Sequence, residues 1–188
     1  MNSVRSTLVS SFATVFAFVF IGGAALADPL GDVKNAAVST MNARSYHFTM
    51  TSPAMGNVVG DMQFPVTLHE SMSNGMEMIV MPSATYMKLH GKWAKMSSGG
   101  NSAFGAVNSA AAIAKINPAS YHVGDLGMRN FGGSMMHAYS VSSLGKNGTH
   151  TDGIDYVDGS GRLAGFSIDK MVMHLTNFGE SVHIAAPI

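Results

Sequence analysis

The 188-residue chain has no cysteine, one tryptophan and few charges: Asp, Glu, Lys and Arg make up 12% of it. Each scarcity excludes something. Without cysteine there is no disulfide framework and no thiolate nucleophile or ligand, so the fold is held by burial alone. The lipid-acceptor thiol of a bacterial lipoprotein is missing as well. Eleven basic residues balance eleven acidic ones, which leaves no basic footprint for a nucleic acid. The catalytic signatures are missing too: no Gly-x-Ser-x-Gly elbow, no His-Glu-x-x-His and no phosphate-cradling glycine loop between a strand and a helix. The expectation is therefore a protein that is not an enzyme and carries no cofactor.

What is present starts with an export signal. Arg5 precedes an uncharged apolar stretch, Leu8 to Ala27, that ends in Ala25-Leu26-Ala27 before Asp28-Pro29. A positive start, an apolar run and a small-x-small ending are the parts of a cleaved signal peptide. The run approaches the roughly 20 residues of a membrane span, but its glycines and its cleavage motif favour removal. Residues 1–27 are thus expected to be the signal and residues 28–188 one exported domain, periplasmic or secreted and unanchored. A chain of that size can bury a single sizeable core.

The sixteen methionines are the unusual abundance. A flexible thioether suits irregular apolar spaces and adaptable binding surfaces. Along the domain, Asp32 begins a short helix in which Val33, Ala36, Ala37, Thr40 and Met41 recur at helical spacing. From Ser45 the period becomes two. Strands are expected around Tyr46-Phe48-Met50, over residues 58–64, 67–73, 76–81 and 85–89, with Lys92-Trp93-Ala94-Lys95 beyond Gly91. Asn74-Gly75 is a tight-turn signal. Five such strands joined by short turns make an antiparallel meander. A Ser/Gly-rich loop over residues 97–102 and an Ala-rich helix over residues 103–115 follow. Six further strands are expected over residues 121–125, 135–142, 150–157, 163–169, 172–176 and 182–185, with Asp158-Gly159-Ser160-Gly161 as a hairpin turn. The fold class expected is α+β: one strongly curved antiparallel sheet, a half-barrel, with a small helical lid over its apolar face.

The order of features resembles the periplasmic lipoprotein-carrier superfamily, the LolA-like and LppX/LprG-like proteins, and most of all their mycobacterial lipid-binding branch. The fragments that carry the likeness are Ala43-Arg44-Ser45-Tyr46-His47-Phe48 after the first helix and Thr85-Tyr86-Met87-Lys88-Leu89 before Gly91-Lys92-Trp93. To these add Gly132-Gly133 with Tyr139, and Ile154-Asp155-Tyr156-Val157-Asp158 before Gly161-Arg162-Leu163. The last is the ending from Leu175 to Pro187. Together they span nearly all of residues 32–188. The resemblance implies a half-barrel whose cavity holds acyl chains of lipids or lipoproteins. Many members carry a lipobox cysteine, which this chain lacks.

On that reading the cavity is lined by Tyr46, Phe48, Met50, Val58, Met62, Phe64, Met78, Met87, Leu89, Phe166, Ile168, Met171, Met173 and Ile184. An ordinary filled core is the competing explanation for any one of them. The partner expected is a lipid or other hydrophobic ligand, with transient contact to a membrane or envelope protein, no nucleic acid, and a monomeric protein. The loop over residues 97–102 is the expected gate, because its two glycines let the neighbouring helix swing. Two alternatives stand beside this: copper held by methionine and histidine, or a non-catalytic interaction protein with a filled core. The eight histidines are scattered singly, and the Met76/Met78 and Met171/Met173 pairs have the spacing a buried strand face also needs. Asp152, Asp155 and Asp158 lack the spacing of a calcium loop; Asp155 points away from the other two, and all three are expected on a turn and a solvated face. Asn147-Gly148-Thr149 is a glycosylation sequon, read as an exposed turn.

Overall fold

The computed structural model describes residues 28–64, 67–96, 121–144 and 150–187. The signal segment, the loop over 97–102, the helix expected over 103–115 and the sequon lie outside them. The described chain opens with helix α1 (Pro29–Asn42). A six-strand run follows: β1 (Ser45–Ser52), β2 (Gly56–Gln63), β3 (Thr67–Met72), β4 (Glu77–Met81), β5 (Ala84–Leu89) and β6 (Lys92–Met96). The second run is β7 (Tyr121–Phe131), β8 (Ser134–Leu144), β9 (His150–Val157), β10 (Leu163–Ile168) and β11 (Met171–Thr176).

All eleven strands form one antiparallel sheet in the order β6-β5-β4-β3-β2-β1-β11-β10-β9-β8-β7. Each run is a meander, and the two are sewn together where β1 pairs with β11, from His47 opposite Thr176 to Thr51 opposite Val172. The sheet does not close: β6 and β7 are its two edges. This is the curved antiparallel half-barrel with a small helical cover that the strand pattern predicts.

Local chemistry sets the turns. Asn74-Gly75 reverses the chain between β3 and β4, with Gly75 at φ +82°, where a side chain would be strained. Gly132-Gly133, at φ +61° and +86°, closes the long β7–β8 hairpin, so β7 runs to Phe131 rather than stopping at residue 125 as expected.

Three expectations need correction. Lys92–Met96 pairs with β5 as a sixth strand, so the first meander has six strands rather than five. Residues 182–185 are not a strand. They follow β11, whose two edges are already taken by β1 and β10, so no backbone ladder is left for them. The tail instead crosses the outer face. Gly179 N–H donates to the Ser45 carbonyl (3.0 Å) and Ser45 Oγ donates to the Glu180 carbonyl (2.6 Å), and Ile184 packs with Ile79, Ala84 and Tyr86. Asp155 is the third, since it is buried rather than solvated; it is taken up below.

Helix α1 lies on the β7, β9 and β10 part of the sheet. Asp28 caps it by accepting from Gly31 N–H (3.0 Å), and Pro29 fills the first turn, where its missing N–H costs nothing. Val33, Ala36, Ala37 and Thr40 face the sheet and are buried. Small residues let the helix approach closely, and Thr40 uses that closeness: its hydroxyl donates to the Ala36 carbonyl and accepts from Leu163 N–H, both at 2.9 Å. Leu163 stands at the register shift between β10 and β9, so the helix satisfies an amide that the strand ladder leaves over.

Candidate functional site

The register defines two faces. Tyr139, Asp155, Phe166, Met173, Met50 and Val58 stand opposite one another in a row across β8, β9, β10, β11, β1 and β2. The next row on the same side runs Leu175, Phe48, Gly60, Glu70, Met78, Met87. This is the inner face, because α1 packs against it: Tyr139 donates from its hydroxyl to Asp32 Oδ2 on the helix (3.2 Å). Burial and that carboxylate push the tyrosine up to about 12.

Twelve of the fourteen residues read from the sequence as cavity lining fall in one apolar cluster on this face. Tyr46, Phe48, Met50, Val58, Met62, Met78, Phe166 and Met173 are buried there, and Phe64, Met87, Ile168 and Met171 are partly buried against them. Tyr46 is the aromatic hub, with edge-on or tilted contacts to Phe48, Phe64 and Phe178 at ring separations of 5.8–6.5 Å. The other two residues sit elsewhere. Leu89 ends β5 at the sheet's rim, 47% exposed. Ile184 belongs to the outer-face cluster with Ile79, Ala84 and Tyr86. Period-two reading also leaves out members of the inner cluster: Leu68, Leu175, Leu163, Tyr139 and the helix residues Val33, Ala36 and Ala37.

A glycine shapes the middle of this face. A Cβ on Gly60 would lie 2.6 Å from Phe48 Cζ and against the His69 carbonyl oxygen. The missing side chain is what lets the Phe48 ring lie across β2. Gly165 does the same on the outer face, where a Cβ would meet the Phe131 ring at 2.7 Å. There Phe131 stacks between Tyr156 (3.9 Å) and His174 (4.2 Å). The register shift between Asp125 and Gly127 in β7 turns Phe131 to that side.

Two carboxyl groups stand among the apolar side chains. Glu70 is wholly buried, and neither of its oxygens has a hydrogen-bond partner. Its cross-strand neighbours are Gly60, under the Phe48 ring, and Met78; Leu68 and Met72 flank it along β3. Loss of water pushes its pKa up to about 8, so it is mostly protonated at neutral pH. Asp155, between Tyr139 and Phe166, is also buried with Oδ2 unpaired, and burial pushes it up to about 7. The sequence did hold a signal for Glu70. It alternates with Leu68 and Met72, and the Asn74-Gly75 turn fixes β3 against β4 so that it must share their face.

The outer face is polar over β1 to β5. His47 meets Asp61 (3.0 Å), and Glu77 takes Lys88 (2.8 Å) and His69 (3.8 Å). The Lys88 bond holds Glu77 below its ordinary value. The tail roofs part of this strip, leaving an open cleft of about 440 Å³ between Asp61, His69, Ile79 and residues 180–185. On the inner face near the β7 edge, His137 bonds Asp125 (2.7 Å) and stacks on Tyr139. Among the described residues no three His, Asp or Glu side chains converge as a metal site, and Met78, Met171 and Met173 belong to the inner cluster.

Comparison with solved structures gives the architecture its class. The chain superposes on the lipoprotein LppX of Mycobacterium tuberculosis with a TM-score of 0.63 at 14% identity, covering 85% of this chain and all of that one. LprF of Mycobacterium bovis follows with a TM-score of 0.57, also at 14% identity, over 85% and 96% of the two chains. The protein therefore has the fold of LppX and LprF. No family profile matches the sequence, and no curated protein matches it significantly.

Proposed function

We propose that the protein is an exported binder or carrier of a hydrophobic ligand, a lipid or acyl chain, acting in the cell envelope by sequestration. The observation that carries this reading is the continuous methionine- and aromatic-rich inner face, Tyr46, Phe48, Met50, Met62, Met78, Phe166 and Met173, on a fold whose solved examples include a lipoprotein. Ligand sites are concave, mostly apolar and sparsely polar. An acyl chain gains about 0.8 kcal/mol per methylene on leaving water, so apolar contact supplies most of the affinity. The signal-like segment over residues 1–27 supports export with cleavage after Ala27, and the absence of cysteine supports a free protein. The mature domain of residues 28–188 acts without catalysis, as a monomer. Its lining residues are those read from the sequence other than Ile184, which packs on the outer face, with Leu89 at the rim.

Phe48, Val58 and Met173 expose no surface, which favours a second reading, an envelope interaction protein with a filled core. Native mass spectrometry of the purified protein, with solvent extraction of what it carries, decides between them. A co-purifying amphiphile is the expected result. A bare protein that also fails to take up an apolar fluorescent dye would sink the carrier reading.

A further inference from the structure

The Glu70 carboxyl lies on the same face as the proposed ligand-contacting side chains and is not needed by the fold's own hydrogen bonding. A buried polar group without a partner is costly, and both oxygens of Glu70 are in that state. An apolar side chain would fill the same row, between Gly60 and Met78, without that cost. The carboxyl is also wholly shielded from solvent, so water does not compete for it. A carboxylic acid offers one O–H donor and an accepting carbonyl oxygen, which matches an uncharged oxygen group such as a hydroxyl or an ester carbonyl.

We propose that Glu70 is the polar anchor of the ligand site, hydrogen-bonding an uncharged hydroxyl or ester oxygen of an amphiphile whose chain lies along the Phe48–Met78 row. The ligand class is thereby narrowed from hydrophobic to neutral and oxygen-bearing. A plain hydrocarbon leaves both oxygens unpaired, and an anionic headgroup has no cation to meet at this position among the described residues. This proposal rests on the carrier reading.

The test is competition by two probes of equal chain length, oleyl alcohol and octadecene, against a bound apolar dye, 1-N-phenylnaphthylamine. Wild type, Glu70→Met and Glu70→Gln are compared. One net hydrogen bond is worth roughly a fivefold change in affinity. Wild type is expected to prefer the alcohol over the alkene by roughly fivefold more than Glu70→Met does. Glu70→Gln, which keeps a donor and an acceptor, is expected to retain most of the preference. An alcohol-to-alkene ratio unchanged in Glu70→Met overturns the anchor while leaving the carrier intact. Failure of wild type to bind the dye at all overturns the carrier, and the anchor with it.

Discussion

Replacing Glu70 by Gln should make the protein more stable, by an amount that depends on pH in a calculable way. Below pH 4.5, the ordinary value for this side chain, the carboxyl is protonated in both folded and unfolded chains and contributes no pH dependence. Above it the unfolded chain releases the proton, while burial keeps the folded chain protonated up to about pH 8. The unfolded state then binds fewer protons than the folded one, so stability falls as pH rises, by about 1.4 kcal/mol per unit across the window. Above about pH 8 the penalty levels off. Glutamine does not ionise, so Glu70→Gln removes the slope and leaves only a pH-independent offset. Between pH 5 and pH 7 its advantage should grow by roughly 3 kcal/mol, which widens the Tm gap by about 6–12 °C in a chain of this size. Thermal and urea unfolding followed by circular dichroism between pH 4 and 9 measure it. Parallel pH profiles for wild type and variant would mean that the carboxyl reaches water in the folded protein, and would refute the reasoning.

Asp155→Asn should behave alike in a lower window, gaining on wild type as pH rises from about 4 to about 7, in the same unfolding series. Gly60→Ala drives a methyl into the Phe48 ring and the His69 carbonyl; a loss of about 1–3 kcal/mol is expected from such overpacking, read as a lower urea midpoint with unchanged m. Thr40→Val keeps the shape of the helix contact but strands Leu163 N–H. It should cost about 1–3 kcal/mol and speed hydrogen exchange at that amide, whereas Thr40→Ser, which keeps the hydroxyl, should do neither. Ile184→Asp places a charge against Ile79, Ala84 and Tyr86. It is expected to free the tail to limited proteolysis while leaving apolar dye uptake on the opposite face unaltered.

How much of this was legible in the chain depends on the range of the interaction that decides it. Alternation is local, so the strands, the Asn74-Gly75 and Asp158–Gly161 turns and most of the inner apolar row could be read directly from residue types. Long-range pairing is another matter. That β1 lies beside β11, joining two meanders into one sheet, follows from no local pattern. The same pairing denies residues 182–185 a ladder and sends Ile184 to the outer face, although its side chain looks like any other lining residue.

The chain by itself determined an antiparallel, cysteine-free, methionine-rich domain with one apolar strand face, because period and turn chemistry act between near neighbours. The tertiary structure alone decided which polar groups that face encloses. A glutamate between Leu68 and Met72, and an aspartate between two others in a hairpin, become buried and hard to ionise only once the strands are assembled into one sheet with its apolar face turned inward.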